Sequence, residues 1–296
     1  MASWQSYILN PMLRLQVKRK LRKARGAEDI RTAFGKGTLP APRGVSFTPG
    51  TAGGIAGEWA AATAAPSGTV LYLHGGAYVA CSPKTHRSIT GGFALRGLKV
   101  FCPDYRLAPE HPFPAALDDA LAAYKGLLDG GTPPAGIAIS GDSAGGGLTL
   151  ATLLAIKAAG LPMPACALVF SPWTDLANTG ETIRSNAKRD VMLPDRTGKE
   201  GPGFYLNGAD AKNPLASPLY GDLAGLPPLL IHVGEPEILR DDATRFAEKA
   251  RAAGVEVDCS VWDNMPHVWQ LFQSLLPEAR RALDQAAAFA KARIRA

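Results

Sequence analysis

The chain of 296 residues is poor in the features that would assign it to a specialised class. Its four cysteines, Cys81, Cys102, Cys166 and Cys259, are far apart and form no Cys-x-x-Cys pair. That spacing argues against a zinc site and against a disulfide framework, and it fits reduced thiols in a cytoplasmic protein. Long apolar runs are missing as well. The longest stretch without charge, Trp59 to Pro83, is interrupted by Pro66, Gly68, His74 and Gly75, so no membrane span is predicted. The N-terminus places its basic cluster after its apolar residues, the reverse of a secretory signal. No internal repeat is present, and no basic stripe with interleaved aromatics runs through the body, which sets nucleic-acid binding aside.

Acidic residues are scarce only at the start. Residues 1–31 hold eight Lys/Arg against Glu28 and Asp29, and the rest of the chain is balanced, so the whole net charge of +6 sits at one end. A solvated face of a terminal helix accounts for such a cluster. In the same segment Trp4, Ile8, Met12 and Leu15 recur at helical spacing and are expected to pack against a lid, although Pro11 argues against one continuous helix.

Short apolar runs bounded by Gly, Pro or Asp read as strands at Val45–Thr48, Ile55–Trp59, Thr69–Leu73, Val100–Pro103, Ile137–Ser140, Ala167–Phe170, Leu229–Val233 and Val255–Val261. Helical patterns lie between most of them, at Pro114–Leu128, Ala144–Ala159, Asp241–Ala253 and Glu278–Ile294. Parallel strands need such crossovers, so the expected fold is α/β, a mostly parallel sheet of about eight strands flanked by helices. The first two strands read as an antiparallel hairpin at its edge. Residues 1–40 and 178–218 break the alternation. They are expected to form a lid over a catalytic domain made of residues 41–177 and 219–296, at the strand ends where open α/β sheets bind ligands.

The stretch that carries chemistry is Gly141-Asp142-Ser143-Ala144-Gly145, set between a strand and a helix. Glycine accepts backbone angles that a side chain forbids, so this turn can lift the Ser143 hydroxyl clear of the sheet. A serine needs a base, and the base needs an acid to orient it. In a nucleophile elbow the order is Ser, acid, His, which leaves His232 and His267 as candidates. His232 falls inside an apolar strand; His267 falls in a loop after the last strand and is the better base. The acid belongs in the loop after Leu229–Val233, where Glu235, Glu237, Asp241 and Asp242 compete; Glu237 is the first choice, nearer the strand end than Asp241 or Asp242, which are placed to cap the next helix and come second. Gly75, Gly76 and Ala77 follow the Thr69–Leu73 strand in a turn that aims backbone N–H groups at the site, and the N–H of Ala144 completes a set of oxyanion donors.

These motifs, with Asp104-Tyr105-Arg106-Leu107-Ala108-Pro109-Glu110-His111-Pro112-Phe113-Pro114, Ser171-Pro172-Trp173-Thr174-Asp175-Leu176 and Leu226-Pro227-Pro228-Leu229, closely resemble the hormone-sensitive-lipase-like (bacterial family IV) esterases of the α/β-hydrolase superfamily. The resemblance spans roughly residues 40–296. It implies a metal-free, cofactor-free carboxylesterase acting on short- to medium-chain esters, with Ser143 as nucleophile, His267 as base, Glu237 as acid, and Gly76, Ala77 and Ala144 as oxyanion donors. It also implies a small-molecule ester as partner, admits a homodimer, and includes no stable membrane insertion. Two departures stand out: Ala77 replaces the family's third glycine, and the acid is glutamate where aspartate is commoner. Arg106, Glu110 and Asp175 are expected to brace loops. Hydrolysis of an amide, formamide, lactone or carbamate is an alternative on the same machinery. A non-catalytic small-molecule receptor is the alternative without it, but such relatives lose the histidine. A lipase acting at an oil–water interface is disfavoured, because the lid segments look charged and without a large apolar face.

Overall fold

The computed structural model describes residues 2–35, 39–62, 65–194 and 197–295. Positions 1, 36–38 and 195–196, which belong to the expected lid segments, lie outside the described residues.

The strands are β1 (Ser46–Ala52), β2 (Ile55–Ala61), β3 (Thr69–Leu73), β4 (Lys99–Pro103), β5 (Ile137–Asp142), β6 (Cys166–Phe170), β7 (Leu229–Gly234) and β8 (Val257–Trp262). They form one sheet in the order β1-β2-β4-β3-β5-β6-β7-β8. β1 and β2 are antiparallel to their neighbours, and every pairing from β4 to β8 is parallel. All five residues of β3 and of β6 are buried, as expected of strands covered on both faces. Successive residues feed opposite cores. Leu71, Ile139 and Val169 join one, and Val70, Ala138 and Leu168 join the other. Cutting one of these side chains back, as in Leu71→Ala, removes about 2–5 kcal/mol.

The helices are α1 (Trp4–Leu13), α2 (Arg19–Leu21), α3 (Ala27–Gly35), α4 (Arg87–Leu95), α5 (Ala115–Asp129), α6 (Ala144–Ala158), α7 (Thr182–Ser185), α8 (Thr197–Leu206), α9 (Arg240–Ala252) and α10 (Pro277–Arg293). Residues of α5, α6 and α9 fill one core, and residues of α4 and α10 fill the other. Sequence periodicity misses α4. Its run Arg-Ser-Ile-Thr-Gly-Gly-Phe-Ala-Leu holds two glycines and two β-branched residues, all weak helix formers, and burial of Ile89, Phe93 and Ala94 supplies what propensity does not.

Two expectations for the N-terminus are corrected. The helix does not break at Pro11; α1 contains it and runs through a π-turn at Arg14–Lys18 into α2. Nor does the Trp4, Ile8, Met12, Leu15 stripe face inward. Leu9 and Leu13 pack against Val191, Met192, Met265, Trp269 and Phe272, while that stripe is exposed. Two apolar stripes share one helix, and periodicity alone does not say which meets the core.

Candidate active site

Ser143 stands between β5 and α6 with φ +54°. A side chain on either flanking glycine would collide with backbone. A Cβ on Gly141 would lie 2.3 Å from the Gly145 carbonyl oxygen, and one on Gly145 would lie 2.1 Å from that of Leu73. The bend is held by its own backbone: Ser143 N–H donates to the Phe170 carbonyl (2.9 Å), and the Ser143 carbonyl accepts from Trp173 (2.9 Å) and Gly147 (3.0 Å). Strain of this kind, about 1–3 kcal/mol, persists only where the surroundings over-determine it.

The structure brings Ser143, His267 and Glu237 together. Ser143 Oγ lies 2.9 Å from His267 Nε2, and His267 Nδ1 lies 2.7 Å from Glu237 Oε2. Both the imidazole and the carboxylate are buried. Burial alone would push the imidazole pKa down, but the carboxylate of Glu237, aided by Asp190 and Asp142, outweighs it and leaves His267 above its ordinary 6.5. The other Glu237 oxygen accepts from Ser171 Oγ (2.7 Å) and from Gly234 N–H (2.5 Å). Ser171, itself at φ +48°, also accepts from Val268 N–H at 3.1 Å, so one hydroxyl ties the acid to the histidine's loop.

Asp241 and Asp242 are not brought to His267, and neither caps α9. Asp242 is buried and accepts the N–H groups of Thr174 and Asp175, both at 2.9 Å; Asp241 accepts that of Thr182 at 3.0 Å. They hold the neighbouring loop instead. His232 lies inside β7 between Phe170 and Trp269, with neither ring nitrogen bonded to a described residue, and burial pulls its pKa to about 3. Trp269 is fully buried and packs on His232 and Trp262, which makes it core rather than pocket wall.

The His74–Ala77 turn corrects one donor. Gly75 N–H is already engaged, donating to Asp142 Oδ1 at 3.1 Å, so Gly75 drops out of the oxyanion set. Gly76 and Ala77 donate to no described residue, and Ala144, first residue of α6, has no helical acceptor below it. Asp142 also accepts from Tyr72 Oη (2.6 Å) and lies 3.3 Å from His86 Nε2. Burial favours the neutral acid, yet His86, Tyr72 and His74 outweigh it and hold Asp142 below the usual carboxylate value. His74 is stacked on Tyr105 at 4.2 Å with its pKa pulled by burial to about 3, and it serves the turn's shape as a neutral ring.

Arg106 makes a forked pair with Asp119, Glu110 pairs with Arg31 of α3, and buried Asp175 accepts from Thr179 and Tyr220. Two further residues escape a reading of the sequence. Asp190 accepts the N–H groups of Met192, Leu193 and Ile238, and Asn186 donates to the carbonyls of Glu235 and Glu237. Both pin the stretch after β6 onto the loop that carries Glu237, and no local motif marks them.

Two pockets open at Ser143. The smaller is walled by Ala77, Trp173, Ile183, Leu193, Ile238 and Leu239. The larger is bordered by Gly76, Asp142, Met192, His267, Val268 and Leu271. Phe34 of α3 contributes to both. Among the described residues no group of three or more His, Cys, Asp or Glu is placed to hold a metal ion.

The sheet order, the elbow after β5 and the loops after β7 and β8 define the class. A family profile described as alpha/beta hydrolase fold matches residues 70–271, and the chain belongs to that family. Within it, the chain is one of the hormone-sensitive-lipase-like esterases. It is 44% identical over 240 residues to an acetyl-hydrolase of Streptomyces hygroscopicus, covering 81% of this chain and 80% of that one. The crystal structure of EstE5 soaked with p-nitrophenyl butyrate superposes with a TM-score of 0.94 at 41% identity over the full length of both chains. An esterase from the bacterial hormone-sensitive lipase family superposes at 0.92 with 40% identity, again over both full chains.

Proposed function

We propose that this protein is a serine carboxylesterase acting on short- to medium-chain esters, with Ser143 as nucleophile, His267 as general base and Glu237 as its orienting acid. The observation that carries this reading is the continuous contact from Ser143 Oγ through the two His267 nitrogens to Glu237, at 2.9 and 2.7 Å. His267 takes the serine proton as Oγ attacks the ester carbonyl. The oxyanion that forms is met by the N–H groups of Gly76, Ala77 and Ala144. The alcohol leaves with the proton, and a water deprotonated by the same imidazole releases the acid. Glu237 fixes the tautomer and stabilises the imidazolium in both steps.

The apolar wall that Ile183, Leu193 and Ile238 give the pocket at Ser143 suits an acyl chain of short to medium length. Relatives whose names are acetyl-hydrolase and esterase, and a relative soaked with a butyrate ester, support the same range. Residues 1–40 and 178–218 form the lid in this reading, since side chains from both, Phe34 and Leu193, border the pocket at Ser143. The edge of β8, which pairs with no further strand among the described residues, is the surface a homodimer would use, and four cysteines without disulfide partners suit the cytoplasm. No helix among the described residues is long and apolar enough to cross a membrane.

The test is hydrolysis of p-nitrophenyl acetate, butyrate, octanoate and palmitate beside Ser143→Ala, with chelator present. Activity on the short chains that vanishes in the variant supports the assignment; activity that survives overturns the nucleophile.

A further inference from the structure

We propose that the outer face of α1 and the basic run behind it dock this protein on an anionic lipid surface, peripherally and without spanning it. The inner face of α1 is spent on the core through Ser6, Leu9, Asn10 and Leu13. The outer face of α1 and the π-turn that continues it presents Trp4, Tyr7, Ile8, Met12 and Leu15, between 48% and 69% exposed. Among the described residues only Leu95, Val261 and Leu275 are other large hydrophobics so exposed, and none lies on this helix. The expectation that the lid segments lack a large apolar face is therefore corrected. A soluble surface rarely leaves such a ridge uncovered.

Charge identifies what covers it. No acid precedes Glu28, whereas Arg14, Lys18, Arg19, Lys20, Arg22, Lys23 and Arg25 follow the ridge closely. Lys18 is buried and bonds the carbonyls of Ala187 and Asp190, but Arg19, Lys20, Arg22, Lys23 and Arg25 are exposed. A helix with Trp and aliphatic side chains on its free face, continued by basic residues, is the pattern that sits in the headgroup layer of an anionic bilayer.

Docking here also has a place relative to the pocket. Asn10 donates to the Asn264 carbonyl at 3.1 Å, three residues before His267, and Phe34 of α3 borders both pockets at Ser143. Substrate dissolved in the lipid surface would thus be delivered on the lid side of the site.

The test is flotation of the full chain with vesicles of phosphatidylcholine alone and of phosphatidylcholine mixed with phosphatidylglycerol. Binding to the mixed vesicles, weakened by salt, with a blue shift of tryptophan emission that Trp4→Phe removes, is the expected result. Two variants separate the contributions: Trp4→Ser with Ile8→Ser and Leu15→Ser, and Arg19→Glu with Lys20→Glu, Arg22→Glu and Lys23→Glu. Each should lower binding by more than about a hundredfold while leaving hydrolysis of p-nitrophenyl butyrate in solution unchanged. Equal binding to neutral vesicles, or none to either, overturns the proposal. So does a concentration-dependent dimer lost in the first variant without vesicle binding. Ser143→Ala should float like the wild type, so failure of the esterase assignment would not be mistaken for failure of docking.

Discussion

Asp142, the residue before the proposed nucleophile Ser143, accepts the backbone N–H of Gly75 at 3.1 Å and so fastens the elbow to the turn that carries the proposed oxyanion donors. The two loops leave neighbouring strands, β5 and β3, and this carboxylate sets their spacing. Removing it in Asp142→Ala orphans Gly75 N–H, Tyr72 Oη and the His86 ring in a buried site. Bonds to a charged group are worth about 1.5–3 kcal/mol. The expected outcome is a kcat lowered about ten- to a hundredfold with KM little changed, and a lower Tm. Asp142→Asn keeps one acceptor oxygen and should recover most of both, which steady-state kinetics and thermal melts would read.

The pH profile carries a sign that can be checked. As the proposed base, His267 must be neutral, and its carboxylate neighbours hold its pKa above 6.5. Activity should therefore fall as pH drops through a value higher than 6.5, rather than at the lower pH of a free imidazole. Glu237→Gln removes the strongest of the raising influences, so the acid limb should move to lower pH while kcat falls by about 10⁴-fold through the wrong tautomer. An unmoved limb would disconnect Glu237 from the base.

Asp190 offers a stability test that also reads out at the site. Its buried carboxyl holds the N–H groups of Met192, Leu193 and Ile238. Asp190→Ala would leave these donors without their partner and cost about 2–4 kcal/mol, measured by denaturant unfolding. Asp190→Asn retains an acceptor and should be milder. Because Asp190 contributes to the raised His267 pKa, it should also shift the acid limb of activity downward, by less than Glu237→Gln does.

Pocket size is open to direct engineering. Ile183 and Leu193 wall the smaller pocket beside Ala77. Leu193→Ala should raise the octanoate-to-butyrate ratio of kcat/KM several-fold, since each extra buried methylene is worth about 0.8 kcal/mol. A ratio that stays the same would place the acyl chain in the other pocket.

Much of the fold was readable because its central strands β3, β5, β6 and β7 are covered on both faces and therefore appear as short apolar runs; β3 matches its sequence reading at both ends. The elbow was readable for a different reason, in that a glycine pair around a serine is a local backbone requirement. What escaped is long-range. That Gly75 spends its N–H on Asp142 depends on two residues 67 positions apart, and α4 exists because it is buried rather than because its residues favour helix. The N-terminal stripe was visible as a period, but only packing shows that Leu9 and Leu13 take the core and Trp4 and Leu15 do not. Asn186 and Asp190 reach the acid's loop from a stretch with no pattern at all.

Those last two residues give the stretch after β6 a buttressing duty. Asn186 grips the Glu235 and Glu237 carbonyls, and Asp190 grips Ile238, while Leu193, three positions on, walls the pocket. Under the proposed function, selectivity and the posture of Glu237 are thus inherited on one short piece of chain. A chimera that borrowed this piece from a relative would import its turnover along with its taste in substrates.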